Sequence, residues 1–254
     1  MPADCAFPHG NIHVRRIFKN SKSSEMIRIP GWFILAMLLT PVLNAQDGKL
    51  VIVKAGTRVT DYYSRSERYL YPAFVEGQIA LRNGRINKAE INYDILFGEV
   101  VFLQGSDTLS ISRKKDVRYI VAGDTFLFDN GYVRILSGGE VRVGVKNYVK
   151  LNNILKRGAY GTTARSGTVE TYETMSAQGN SFDLVPDQDL ELKTMVEYWL
   201  SADYGGFTLF TKRNVMQLFP DNEDEIKAYI KTNKTDFNSM DDLLLLSGYL
   251  RTLR

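Results

Sequence analysis

Carboxylates are the main acid–base groups that most of this chain offers for chemistry. They are spread over the middle of the sequence: Asp94, Glu99, Asp107, Asp116, Asp124 and Asp129. Hydrolysis of a glycosidic bond needs two carboxyl groups held at a fixed separation. Aspartate is also common in turns, because its side chain bonds nearby backbone N–H groups. The spacing therefore permits a carboxylate-dependent hydrolase acting on glycans as one hypothesis, without selecting a catalytic pair.

Histidine and cysteine occur only near the start of the chain, as His9, His13 and Cys5. The remainder has no imidazole base, no thiolate nucleophile, no disulfide and no His or Cys metal ligand. Loss of the first residues would therefore exclude Ser-His-Asp, Cys-His and zinc chemistry together.

Residues 26–45 have the order of a secretory signal peptide. Basic Arg28 precedes an apolar run from Gly31 to Leu39, and the small residue Ala45 follows. The run is shorter than the ~20 residues of a membrane helix, so we predict cleavage and no stable transmembrane span afterwards. A stop-transfer segment is the alternative, because the residues before the cleavage site match the small-x-small pattern imperfectly. Residues 1–25 are interpreted as a non-native or disordered extension.

The charge of the chain is concentrated in this leader. Of 32 basic and 29 acidic residues, five and two respectively lie in residues 1–45, which leaves 27 of each sign. A neutral mature chain lacks the basic patch typical of nucleic-acid binding. We therefore predict no nucleic-acid partner.

Residues 46–157 are predicted to form an antiparallel β domain. Apolar residues alternate with polar ones between Gly, Asn and Asp turns, most clearly at Val141, Val143 and Val145. On this strand we expect Arg142 and Lys146 on a solvated face. The fold class is mainly β (α+β): an antiparallel meander sheet, small barrel or sandwich with a C-terminal helical pair.

The turn at Asn83-Gly84 predicts an unusual hairpin loop. Apolar residues on both sides occupy odd-numbered positions, such as Ile79 and Ile91. A two-residue turn would place one of these faces in water. We therefore predict a three-residue loop with Gly84 in the left-handed region, or a bulge nearby.

The last hundred residues divide into two parts. Residues 158–189 are rich in Gly, Ser and Thr and are interpreted as a flexible connector. Residues 190–254 are predicted to hold a β-hairpin turning at Asp203–Gly206, then two helices on the same core. Pro220 introduces the first helix, and Ser239 caps the second.

An aromatic and basic segment offers the best candidate contacts with a protein partner or a glycan. Its members are Tyr62, Tyr63, Arg65, Arg68, Tyr69 and Tyr71. Aromatic rings with a polar tip are common in binding patches. They are also common where a segment packs across a sheet, and that alternative stays open.

We assign no catalytic residue, cofactor or metal site. The acidic run Asp221–Glu225 lacks the calcium-loop pattern and suits a helix N-terminus instead. No Gly-rich phosphate loop with its Lys and Ser or Thr is present.

Several turn and core motifs together carry a resemblance to a known family. They include Asn92-Tyr93, Gly98-Glu99, Gly131-Tyr132 and Gly158-Ala159-Tyr160-Gly161, with a similar ending around Leu218-Phe219-Pro220. The chain resembles an exported β-rich family of Bacteroidota that has no assigned function. The resemblance implies a Gram-negative envelope location, periplasmic or extracellular, and no catalytic residue. We predict a non-catalytic binding or structural component of the cell envelope, with the glycan hydrolase as the alternative.

Overall fold

A computed structural model describes residues 48–157, 163–165 and 185–254. These ranges all fall within one compact unit, Asn44–Arg254. The predictions for the leader, residues 1–45, lie outside them, as does most of the predicted connector. Within that connector, residues 163–165 form a short strand, and residues 185–188 precede a long strand that begins at Asp189.

The described ranges contain twelve strands in one antiparallel sheet. They are β1 Leu50–Val53, β2 Val75–Leu81, β3 Ile86–Asp94, β4 Glu99–Gln104, β5 Asp107–Ser110, β6 Val117–Ala122, β7 Asp124–Phe128, β8 Tyr132–Ser137, β9 Val141–Arg157, β10 Thr163–Arg165, β11 Asp189–Ala202 and β12 Thr208–Leu209. The order is β1-β11-β9-β8-β7-β6-β2-β3-β4-β5, with β10 beside β9 and β12 beside β11. The predicted mainly β, antiparallel fold is confirmed, as an open sheet.

The sheet is two meanders rather than one. Strands β2 to β5 pair in sequence, and so do β6 to β9, but β6 lies beside β2 instead of β5. The first strand, β1, pairs with the late strand β11, where Leu50 lies opposite Lys193.

The β2–β3 hairpin confirms the predicted loop. Odd-numbered positions face each other, as in Ile79 opposite Asn87. The Leu81 N–H donates to Arg85 O at 2.8 Å, which leaves three residues in the loop, and Gly84 has φ +86°. A three-residue hairpin loop usually ends in a left-handed residue, and glycine adopts that conformation without a steric penalty.

The sheet curls strongly. In a flat sheet β3 and β9 would lie five strand spacings apart, about 24 Å. Nevertheless the Tyr93 hydroxyl on β3 donates to Asn147 O on β9 at 2.7 Å. The Tyr93 ring also stacks on Phe126 of β7, with 5.5 Å between centroids. The turn between β3 and β4 therefore meets β9, where Leu96 and Phe97 enter one of the hydrophobic clusters.

Five α-helices are found in the described residues: α1 Val59–Tyr62, α2 Arg65–Arg68, α3 Lys212–Leu218, α4 Glu223–Asn233 and α5 Met240–Thr252. The C-terminal part thus holds three helices. The predicted pair corresponds to α4 and α5, and α3 was not predicted. Pro220 stands in the turn before α4, and the Ser239 side chain caps α5, as predicted. The apolar faces of these helices pack on β9 and β11, with Leu243, Leu246 and Leu250 fully buried.

Candidate functional site

The aromatic and basic segment forms a strap, which we define as residues 59–74, containing α1 and α2. It is joined to β3 through the backbone. Leu70 N–H donates to Tyr93 O at 2.9 Å and Ile95 N–H donates to Arg68 O at 2.7 Å, with Tyr69 opposite Asp94. The end of β3 therefore pairs with the strap, just as the rest of β3 pairs with β2.

The Asn92 side chain on β3 binds the backbone of the strap at Tyr71 and Ala73. Its Oδ1 accepts from Tyr71 N at 3.1 Å, and its Nδ2 donates to Tyr71 O and Ala73 O at 2.9 and 3.2 Å. Oδ1 also accepts from the Tyr93 N–H at 2.8 Å. Asn92 is fully buried, and its amide uses both protons and both lone pairs. Between Tyr71 and Ala73, the strap is thus hydrogen-bonded to β3 by the Asn92 side chain.

Arg68 forms a buried ion pair with Asp94. The Nε–Oδ2 distance is 2.8 Å, the Asp94 side chain is fully buried, and Leu96 N–H donates to its Oδ1 at 3.0 Å. Burial raises the pKa of Asp94 to about 6, although Arg68 and the backbone N–H groups act in the opposite direction. The guanidinium also lies 5.6 Å from the Phe97 ring centroid. The role of Arg68 is therefore to fix the strap to β3.

Two tyrosines of the strap also point inward. The Tyr71 hydroxyl donates to Asp124 Oδ2 at 2.8 Å and accepts from Asp124 N at 3.1 Å. Tyr63 packs against the cluster containing Val53 and Leu192, and burial raises the pKa of its hydroxyl. Both positions support the packing interpretation of the segment.

Tyr62 and Arg65 face the solvent instead. Tyr62 is 43% exposed and meets Tyr63 edge-on. Arg65 is exposed, donates from Nε to Pro72 O at 3.1 Å and lies 5.8 Å from the half-buried Tyr69 ring. The structure thus separates the six predicted residues into an anchoring group (Tyr63, Arg68 and Tyr71), an exposed group (Tyr62 and Arg65), and Tyr69 between them.

A hollow of about 330 Å³ lies between the strap and β11. Its lining residues are Gly48, Lys49, Tyr63, Glu67, Thr194 and Val196. Lys49 and Glu67 form an exposed ion pair at 2.7 Å across it, and this hydrogen bond with Lys49 holds the pKa of Glu67 well below its usual range. The volume lies in the range of small-ligand pockets. The candidate functional site is the outer surface of the strap, which consists of this hollow and the exposed side chains of Tyr62 and Arg65.

The buried carboxylates of the described residues are engaged in structural contacts. Asp94 pairs with Arg68, Glu99 with Lys114, and Asp189 with Lys54 at 2.9 Å. Glu191 accepts from Asn153 Nδ2 at 2.8 Å. A carboxylate already bound to a protein cation or amide is poorly placed to act as a general acid or nucleophile.

One exposed carboxylate pair deserves comparison with the hydrolase hypothesis. Glu76 and Glu90 lie directly opposite each other on β2 and β3, beside a shallow hollow of about 530 Å³. Opposed residues have Cβ atoms about 5 Å apart, so the two carboxyl groups are within reach of each other, as the paired carboxyl groups of glycosidases are. Both side chains are exposed to solvent, however, and neither has the apolar surroundings that convert a carboxyl group into a general acid.

A second cluster, of two cations and three aromatic rings, was not predicted from the sequence. On β9 and β11, Arg142 lies near Tyr204 and Phe207, and Lys146 lies 3.7 Å from the Trp199 ring centroid. The prediction that Lys146 is solvated is wrong, since only 5% of it is exposed. The turn at Asp129 and Asn130 covers it, and sequence alternation does not reveal such coverage.

Comparison with protein-family models, with curated proteins and with solved structures gave no match. Within the described ranges, the helices are too short or too polar to cross a membrane.

Proposed function

We propose that this protein is an exported component of a Gram-negative cell envelope that binds a partner without catalysis. The observation that carries the proposal is that the strap has one group of anchored side chains and another group of exposed ones. Tyr63, Arg68 and Tyr71 are fixed by internal contacts, while Tyr62 and Arg65 of the same strap remain exposed. Tyr and Arg are the side chains most enriched in binding hot spots.

A rigid backbone makes such a surface effective. Asn92 and Asp94 bond the strap at Tyr71, Ala73 and Arg68. The backbone of the strap is therefore ordered before a partner binds, which lowers the entropic cost of binding. The structural engagement of the buried carboxylates favours binding over the alternative, a glycan hydrolase. The partner class that fits is an envelope protein or a glycan with apolar faces and acceptor groups.

Export is tested by sequencing the N-terminus of the protein purified from its native envelope. We expect the chain to begin at Gln46, directly after the predicted cleavage site. A chain that begins at Met1 would contradict export by cleavage, and it would restore His9, His13 and Cys5 as candidates for catalysis.

Binding through the strap is tested by capture from crosslinked envelopes. The double substitution Tyr62→Ala and Arg65→Gln is expected to reduce recovery of the partner at least about fivefold, the effect of about 1 kcal/mol. Arg118→Gln is the matched control, because Arg118 is also exposed and lies 6.0 Å from a half-buried ring, Tyr119.

Two outcomes would count against strap binding. One is equal recovery by the double variant and the control. The other is turnover of a glycan panel by a protein that captures no partner, which would favour the hydrolase.

A further inference from the structure

Exposed cations collect at the turn of the β2–β3 hairpin. Arg82 begins this turn and Arg85 follows it, and both side chains are exposed. Leu81 N–H donates to Arg85 O at 2.8 Å, which brings the two ends of the turn together. Asn83 Oδ1 accepts from Arg85 N–H at 3.0 Å and fixes the turn from within. The two arginines are therefore held close to each other at one end of the sheet.

The short 3₁₀ turn before β6 brings two more cations to the same place. Arg82 N–H donates to Asp116 O at 2.8 Å, and Arg82 Nε donates to Lys115 O at 2.9 Å. Lys115 is exposed, and the side chain of Arg113 is 87% exposed. These bonds join segments that are 33 positions apart in the chain. We call the resulting surface the basic tip; its cations are Arg82, Arg85, Arg113 and Lys115.

The basic tip has more positive than negative charge. Its carboxylate is Asp116, whose Oδ2 lies 3.4 Å from Arg113 Nε, with both side chains well exposed. An exposed ion pair of this kind is weak and leaves both groups accessible. The side chains of Arg85 and Lys115 form no hydrogen bond or ion pair with the described residues. Four cations and one carboxylate therefore leave a local excess of positive charge that a partner can neutralise.

This excess is confined to the tip. Further along the hairpin, Lys88 lines a hollow together with Glu76 and Glu90. Next to Lys115, Lys114 pairs with the buried Glu99. The chain after residue 45 has as many acidic as basic residues in total. Net charge therefore did not reveal the basic tip, because an average over the chain hides a local cluster.

An exposed aliphatic side chain lies directly beside these cations. Ile86 is the first residue of β3, follows Arg85 and is 56% exposed. Single exposed aliphatic residues are common, so the position of Ile86 matters more than its exposure. A purely polyanionic partner, such as a nucleic acid, offers an aliphatic side chain little. Basic residues combined with apolar ones are instead typical of surfaces that bind anionic membranes.

We propose that the basic tip and Ile86 form a docking surface for an anionic phospholipid membrane. Each Lys or Arg near such a membrane strengthens binding roughly fivefold. Three of the four cations are arginines, whose planar guanidinium groups bind phosphate through two parallel hydrogen bonds. Ile86 then inserts among the acyl chains at the membrane surface. The docking surface shares no residue with the strap and does not depend on strap binding.

The test is cosedimentation of the protein with vesicles. One set is phosphatidylcholine alone, and the other is an equimolar mixture of phosphatidylcholine and phosphatidylglycerol. The chain from Gln46 is used, because the apolar run of the leader would itself bind lipid, and all the described residues lie in the compact unit Asn44–Arg254. We expect at least about tenfold tighter binding to the anionic vesicles. High salt should remove this difference, because it screens exposed charges.

Substitutions at the tip identify the surface. Arg85→Gln with Lys115→Gln should weaken binding to anionic vesicles at least about tenfold. The melting temperature should stay the same, because neither side chain is bonded within the described part of the chain. The matched control is Lys212→Gln with Arg213→Gln, a pair of exposed cations outside the tip, which should leave binding unchanged. Ile86→Ser should weaken binding at least about twofold.

Four results would overturn the proposal. They are the absence of vesicle binding, equal binding to both kinds of vesicle, an unaffected double variant at the tip, and equal weakening by the control pair. Tighter binding to single-stranded DNA than to anionic vesicles, with no effect of Ile86→Ser, would also overturn it, because the partner would then be a nucleic acid.

Discussion

Replacement of Arg68 by methionine is expected to lower the free energy of unfolding by about 3–5 kcal/mol at pH 7. The substitution keeps the apolar stem but leaves the fully buried Asp94 carboxylate without its cation, and breaking a buried pair costs this much. Chemical denaturation measures the change. Arg118→Met, at an exposed arginine, is the control and should change stability by less than about 0.5 kcal/mol.

The pH dependence identifies the cause of that loss. The pKa of Asp94 is raised to about 6 in the folded protein, above the value near 3.9 of an unfolded aspartate. The folded state therefore holds a proton that the unfolded state releases between about pH 4 and 6, and stability rises as the pH falls through this window. Removal of Arg68 raises the pKa of Asp94 further, so the deficit of the variant should shrink between pH 7 and 5.

The double substitution Arg68→Met with Asp94→Asn completes this test. Neutral asparagine needs no cation, so the double variant should be more stable than Arg68→Met alone at pH 7. A deficit in Arg68→Met that is constant with pH, or not reduced by Asp94→Asn, would show that the pair does not anchor the strap.

Asn92→Asp is expected to lower the free energy of unfolding by about 3–5 kcal/mol, because it leaves an uncompensated buried charge. The carboxylate has the same shape but cannot donate to Tyr71 O and Ala73 O, and it places a buried charge against both carbonyls. Amide hydrogen exchange should show the strap, residues 59–74, opening before the rest of the sheet. Asn87→Asp, at an exposed position of the same strand, is the matched control.

A uniform increase in exchange over the whole sheet, with no earlier opening of the strap, would contradict this role of Asn92. So would equal stability of the Asn92→Asp and Asn87→Asp variants.

Local sequence rules predicted the elements whose partners are close in the chain. The loop around Gly84 followed from the parity of apolar positions, and the start of α4 followed from Pro220. Helix α3 was missed because seven residues are too few for a clear helical period. Its Thr211 side chain, which accepts from Asn214 N–H, was the available signal.

Contacts between distant residues lay beyond such rules. Composition singled out the strap residues as aromatic and basic. Arg68 meets Asp94 because the strap pairs with the end of β3, and Tyr71 meets Asp124 on β7, and neither pairing is visible in the sequence. The same limit hid the cluster at Arg142, because only the β9–β11 register brings Trp199 beside it. Sequence therefore indicated candidate residues, while the separation of anchoring from exposed ones required the structure.

The pairing of Leu50 with Lys193 affects the order in which the protein folds. During synthesis, β1 is made long before its partner, because 143 positions separate Leu50 from Lys193. Meanwhile its apolar residues, Val51 and Val53, stay uncovered in a nascent polypeptide. Sheets built on such sequence-distant pairs fold slowly and are exposed to aggregation in the interval. We therefore expect this edge of the sheet to form only after β11 has been synthesised.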